Sequence, residues 1–209
     1  MNAAPVSLDP RIRRTRQMLF EALLALLAEK SFEEISVQDI AERSTVNRAT
    51  IYDHFADKFS LLEALIDEKF REKFQEHLAG ADCTRPEGLK QTVVTVGEFL
   101  KKVADAGQEK RRPLGPMVES IIERQIKVVV GEFLKESLQA QSDDSSDAAL
   151  RATALSWAIC GIAMDWSRAQ TVPLDAFAET VLPLLSSMLE TRCRVGALLR
   201  RYLPRCKKK

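Results

Sequence analysis

The chain has 209 residues, 45% of them hydrophobic and 29% charged, the balance of a water-soluble protein with room for one large domain or two small ones. Only eight Gly and eight Pro occur, which argues against collagen-like sequence, long flexible linkers and turn-rich all-β architectures. No apolar run approaches the roughly 18 residues of a membrane span. The opening MNAAPVSLDPRIRR also lacks the apolar core of a signal peptide, so a cytoplasmic protein without membrane contact is expected.

Helical spacing dominates from the start. Leu19, Leu23, Leu26 and Leu27 predict an amphipathic helix of about five turns that ends near Lys30. Ser36 followed by Asp39 reads as a capping box that starts a second helix, with Ile40 and Ala41 facing inward. Asn47 suits the cap of a short third helix carrying Ile51, Tyr52 and Phe55. Asp57 can cap a fourth, whose Phe59, Leu62, Ile66, Phe70, Phe74 and Leu78 run until Gly80 stops it.

Leu89, Val93, Val96, Leu100 and Val103 continue the pattern, and Pro113, Gly115 and Pro116 then break the chain. A helix from Met117 to Leu138 precedes a polar loop at 141–147. The next helix, about 147–170, carries Leu155, Ile159, Ile162 and Trp166 on one face and Trp157, Cys160 and Met164 on another. Such a helix is expected to be buried on more than one side. Pro173 opens a last helix, about 174–199, with Pro183 inside it to kink or split it. No credible alternating strand appears, so the class is all-α.

Charge is balanced overall, 31 Lys and Arg against 30 Asp and Glu, but unevenly spread. Residues 191–209 hold eight basic residues and no acidic one, which leaves 1–190 at −7 against a whole-chain net of +1. Arg11, Arg13, Arg14 and Arg16 crowd the other end. Nucleic-acid binding needs basic groups where phosphates will lie rather than a basic whole. Cys83, Cys160, Cys193 and Cys206 form no C-x-x-C pair, and His54 and His77 are the only imidazoles. Buried thiols in a reducing compartment are expected rather than a metal site.

Two short helices joined around Ser44 to Val46 make helix-turn-helix geometry, in which the second helix enters the major groove. The segment Ser36-Val37-Gln38-Asp39-Ile40-Ala41, then Val46-Asn47-Arg48-Ala49-Thr50-Ile51-Tyr52-Asp53-His54-Phe55, and Lys58 with Leu61 and Leu62, resembles a TetR/AcrR-type transcriptional regulator over about 50 residues, 11–62. The family usually has Gly where this chain has Thr45. A β-branched residue at positive φ is unfavourable, so the turn is either strained or re-routed.

The resemblance implies an N-terminal arm and three-helix DNA-binding domain (1–58), a larger helical effector-binding and dimerisation domain (59–199) and a basic tail (200–209). It further implies that Arg48 reaches a guanine edge and that Ala49 lets the helix approach closely. Thr50, Tyr52, His54 and Lys58 would meet phosphates or a thymine methyl, Ser36 and Gln38 would touch backbone or base, and Arg11, Arg13 and Arg14 would supply an arm. Taken singly, His54 is an ordinary surface histidine and Arg48 a solvated charge. The joint spacing changes that, because Ile51 and Phe55 take the core face of the same helix.

By the same resemblance the last two helices pack against their symmetry mates in a homodimer, and Phe74, Phe99, Met117, Ile121, Trp157 and Met164 line an effector cavity. Few ionisable residues interrupt these stripes, so a small apolar or amphipathic effector is expected. There is no G-x-S-x-G, H-E-x-x-H, Walker loop or glycine-rich dinucleotide turn, so neither an enzyme nor a cofactor is expected. The sequence reading is a homodimeric, ligand-responsive regulator, a repressor released from a palindromic double-stranded DNA operator. Its alternative is a dimeric ligand- or protein-binding module that has lost specific DNA binding.

Overall fold

Helix starts in this chain are set by short polar side chains. The computed structural model describes residues 9–109, 115–141 and 145–190. In it α1 (Pro10–Glu29) opens with the Asp9 carboxylate accepting the Arg11 N–H at 2.8 Å and Pro10 at the first helical position, where a missing N–H costs nothing. α2 (Val37–Ser44) opens on the expected capping box: Ser36 Oγ accepts the Asp39 N–H, and the Asp39 carboxylate accepts the Ser36 N–H at 2.7 Å. Asn47 caps α3 (Arg48–His54) by accepting the Ala49 N–H at 2.9 Å. Ahead of α4 (Lys58–Leu78), the Asp57 carboxylate accepts the Ser60 N–H at 2.7 Å, and Gly80 at φ +77° follows its end.

The rest is α5 (Pro86–Glu109), α6 (Pro116–Gln139), α7 (Ser145–Ala169) and α8 (Leu174–Glu190), with no strand among the described residues. None of the described helices is long and apolar enough to cross a membrane. The fold is all-α, as the periodicity required. Three local expectations change. α7 begins at Ser145, inside the stretch expected to be loop, because Asp147 favours a helix N-terminus and pairs four residues on with Arg151. α8 runs through Pro183 without splitting; Pro183 lies on its exposed side, where water can replace the hydrogen bond that proline removes. On the second apolar face of α7 Cys160 and Met164 are buried as expected, but Trp157 is 61% exposed, and Leu150 on the same helix is 42% exposed, so part of its apolar surface is uncovered within one chain. Pro113, residues 142–144, the stretch 191–199, the basic tail 200–209, Cys193 and Cys206 lie outside the described residues.

The chain divides into two compact units, one of Met1–Lys69 with Ala106–Ile122 and the other of Phe70–Asp105 with Glu123–Lys209. The divisions fall within α4, α5 and α6. In the first unit Leu19, Phe20, Leu23, Ile35, Ile40, Ile51 and Leu61 are at most 2% exposed. Each such burial stabilises by about 1.5–3 kcal/mol before entropy is charged against it. In the second, Phe70, Leu89, Ile126, Leu134, Leu155 and Ile159 form the centre. A Cβ on Gly97 would come within 2.4 Å of Leu174 Cδ1, so glycine there lets α5 and the start of α8 pack closely. Cys83 and Cys160 are buried thiols, and burial pushes Cys160 up to about 12.

Thr45 decides between the two sequence alternatives for the turn. It adopts φ +57° and ψ +22°, so the chain keeps the left-handed turn and bears a β-branched side chain in it. That conformation costs about 1–2 kcal/mol for an L-residue with a Cβ. Thr45→Gly should therefore stabilise the protein by about 0.5–1 kcal/mol, part of the relief being offset by glycine's greater chain entropy. Thermal unfolding measures this, and an unchanged midpoint would show that the strain is absent. In a variant with Cys193 and Cys206 replaced by Ser, the two buried thiols should react with an aromatic disulfide reagent only as fast as the protein opens.

Candidate nucleic-acid interface

α3 is only seven residues long, so its orientation follows from which side chains it buries. Ile51 and Phe55, four apart, are 2% and 5% exposed. Their burial turns Arg48, Ala49, Tyr52 and Asp53 outward, with Thr50 and His54 half-buried at the flanks. Phe20 of α1 meets Phe55 at a centroid distance of 6.0 Å, and the Arg16 guanidinium lies 5.3 and 4.8 Å from the two rings. These contacts tie the end of α3 to α1.

On the outward face the Arg48 guanidinium donates to the Tyr52 hydroxyl at 3.3 Å and lies 5.7 Å from its ring. A planar fork held this way can donate in pairs to a guanine edge or to a phosphate. Asp53 shares that face, four residues on from Ala49, and sequence reasoning missed it although the i, i+4 spacing was there to read. Its carboxylate can accept from a cytosine amino group and repels phosphates. Arg11, Arg13 and Arg14 are exposed on the first turn of α1.

The start of α2 offers less than the sequence suggested. Ser36 Oγ already donates to the Asp39 carboxylate at 2.6 Å and accepts its N–H, and the Gln38 amide donates to Glu42 at 2.8 Å. Lys58 departs furthest from expectation. Its Nζ donates to the carbonyl oxygens of Ile35, Phe32 and Glu33 at 2.7, 2.9 and 3.1 Å, which uses all three N–H bonds of the ammonium and leaves none for a phosphate.

Other charges of this unit are matched among themselves. Arg43 donates to both Glu29 oxygens at 2.8 and 2.7 Å, and Lys30 lies 2.8 Å from Asp39. The Lys30 ammonium, aided by the Ser36 hydroxyl and N–H, holds the Asp39 carboxyl well below the usual carboxylate range. These pairs line an open groove of about 410 Å³ beside Leu26 and Glu42. Among the described residues no group of three or more His, Cys, Asp or Glu is placed to hold a metal ion.

The six effector candidates are divided between the two units. Met117 and Ile121 fall in the first unit and the other four in the second. Met117 and Trp157 are 52% and 61% exposed, and Trp157 carries the Lys127 ammonium 3.8 Å from its ring centroid. Phe74, Ile121 and Met164 are buried, and Phe99 is half-buried. The structure instead joins Phe70 to Phe99 at 5.0 Å and Phe74 to Phe133 at 5.0 Å, both edge-on, with Phe70 and Phe74 5.4 Å apart. This chain of four rings runs over α4, α5 and α6. Phe133 was missed because it lies outside the stripes used to choose candidates.

Residues 19–65 match the family of bacterial regulatory proteins, tetR family. A Bacillus subtilis protein described as an uncharacterized HTH-type transcriptional regulator, YxbF, is 39% identical over 99 residues, 47% of this chain and 26% of that protein. The probable acrEF/envCD operon repressor of Escherichia coli K12 is 31% identical over 93 residues, 43% of this chain and 42% of that one. The chain thus spans about a quarter to two fifths of the length of these curated relatives. A crystal structure of the TetR-family regulator SCO0857 from Streptomyces coelicolor shares the fold at a TM-score of 0.58, covering 88% of this chain and 99% of that one at 19% identity.

The Lys30–Asp39–Ser36 arrangement gives a pH test. A carboxyl depressed on folding contributes stability that is complete above its unfolded value near 3.9 and is lost as pH falls below that toward the folded value. Between about pH 5 and pH 3 the unfolding temperature of the wild type should therefore fall more steeply than that of Asp39→Asn. Parallel curves in a pH series of thermal melts would remove Asp39 from the acid response.

Proposed function

We propose that this chain, which belongs to the TetR/AcrR family through the helix-turn-helix of residues 19–65, is a ligand-responsive transcriptional regulator that binds double-stranded operator DNA as a homodimer. The observation that carries this reading is the outward Arg48, Ala49 and Tyr52 on a helix whose Ile51 and Phe55 are buried, following a turn that keeps its left-handed residue. Small and basic residues at the exposed start of a recognition helix are what groove entry and base contact require. The exposed Arg11, Arg13 and Arg14 supply the phosphate or minor-groove contacts that fix register.

The Escherichia coli relative is a probable operon repressor, which supports repression as the sign of regulation. The protein acts in the cytoplasm on chromosomal DNA and is a regulator rather than an enzyme. Trp157, Leu150 and Leu184, the last two 42% and 61% exposed, support a dimer face on α7 and α8, since three large apolar side chains left in water by one subunit suit cover by another. The effector is a small apolar or amphipathic molecule that binds against the Phe70, Phe74, Phe99 and Phe133 rings. It weakens operator affinity, a coupling of about 1–3 kcal/mol. The alternative of a module without specific DNA binding drew on Thr45, and the retained turn geometry removes that ground.

Selection of bound sequences from a random duplex pool tests the reading directly; enrichment of a palindrome supports it, and no enrichment at low salt overturns it. On the selected operator, Arg48→Ala should cost about 1–3 kcal/mol and relax preference at one base pair. Arg14→Ala should weaken all sequences alike and lower the salt slope by about one. A randomised-site assay that gave both variants the same sequence dependence would refute the groove assignment.

A further inference from the structure

Lys58 stands at the first position of α4 yet grips a different part of the chain. Its three carbonyl partners, Phe32, Glu33 and Ile35, belong to one turn, closed by the Glu34 N–H to Ser31 O at 3.1 Å and the Ile35 N–H to Phe32 O at 3.2 Å. The ammonium also lies 4.8 Å from the Phe32 ring and 5.6 Å from Phe59, and these two rings meet edge-on at 5.3 Å. The residue after this turn is Ser36, whose capping box begins α2. The start of α6 reaches the same turn, for the Glu33 carboxylate occupies the space a Gly115 side chain would need, 2.3 Å from an added Cβ.

A charge held this way has a use other than contact with DNA. Three carbonyls converging on one ammonium satisfy it completely, and a half-buried cation leaves such a site only at the cost of unpaired groups on both sides. The turn can therefore shift only together with the first residue of α4. We propose that Lys58 is a positioning residue for DNA recognition: it locks the 32–35 turn to the start of α4 and so fixes where α2 begins and how α3 behind it is presented.

This rests on the DNA-binding reading above, and salt dependence separates a positioning role from a phosphate contact. Binding of the wild type and of Lys58→Met to the selected operator is measured over a range of salt, at a temperature where circular dichroism shows both fully folded. The expected result is a loss of about tenfold or more in affinity with an unchanged salt slope, together with faster amide exchange at Asp39 in the first turn of α2. Unchanged affinity overturns the proposal. So does a slope reduced by about one with Asp39 exchange unaltered, the pattern of a lost phosphate contact.

Nuclear magnetic resonance of the wild type keeps the test decisive if Lys58→Met does not fold. The Lys58 ammonium protons should be protected from solvent exchange without DNA and stay so on the operator. An ammonium signal protected only after operator is added would mean that Lys58 turns to DNA, and the proposal fails. If the wild-type chain selects no duplex at all, the regulator reading falls and the positioning role with it, while ammonium protection would still record the clasp itself.

Discussion

A helix of two turns does not hold in water on its own hydrogen bonds, because nucleation costs more than so few bonds return. α3 exists because Ile51 and Phe55 are buried against a neighbouring helix, with Asn47 capping its start. Every property of the candidate DNA face descends from that constraint. Once those two side chains face inward, Arg48, Ala49, Tyr52 and Asp53 must face outward. The Arg16 guanidinium laid over the Phe20 and Phe55 rings then ties α1 to the end of α3. A recognition helix loosely attached to its support would lose in conformational entropy what it gained in base contacts.

Cations in the first unit serve two distinct purposes. Lys30, Arg43 and Lys58 are engaged inside the chain, with Asp39, with Glu29 and with three carbonyls. Arg11, Arg13, Arg14 and Arg48 are exposed. Exposed pairs such as Arg43 with Glu29 stabilise little and act chiefly by fixing how α1 and α2 meet. The near-zero net charge of the chain conceals this partition, which explains why a protein of pI near 7.7 can present a basic face to a phosphate backbone.

The second unit is built on different terms. Its centre is aliphatic and aromatic, with Lys90 to Glu179 and Arg71 to Glu132 bridging helices at its surface, at 2.8 and 2.7 Å. Four phenylalanines meet edge-on or tilted along α4, α5 and α6, two of them half-exposed. Edge-to-face and tilted pairs of this kind add to the burial of the rings themselves and hold the three helices in register. Lys127 over Trp157 is a smaller instance of the same chemistry, an exposed ring kept in place by a cation from the neighbouring helix.

How much of this was legible beforehand depends on the range of the interaction. Helix caps act over two or three residues, so Ser36 with Asp39, Asn47 and Asp57 could be read directly, and so could the all-α class and the inward pair Ile51 and Phe55. The left-handed conformation of Thr45 was one of two local solutions, and the folded chain adopts it. Nothing local could show that Lys58 would close on carbonyls 23 to 26 residues earlier, or that Arg43 would find Glu29 fourteen residues away. Phe133 joined Phe74, and Trp157 was left in the open, for the same reason. Sequence by itself determined which residues are helical and which face of each helix is apolar, because caps and periodicity are local. Only tertiary structure decided which charges remain available to a ligand, since that depends on partners brought together by folding.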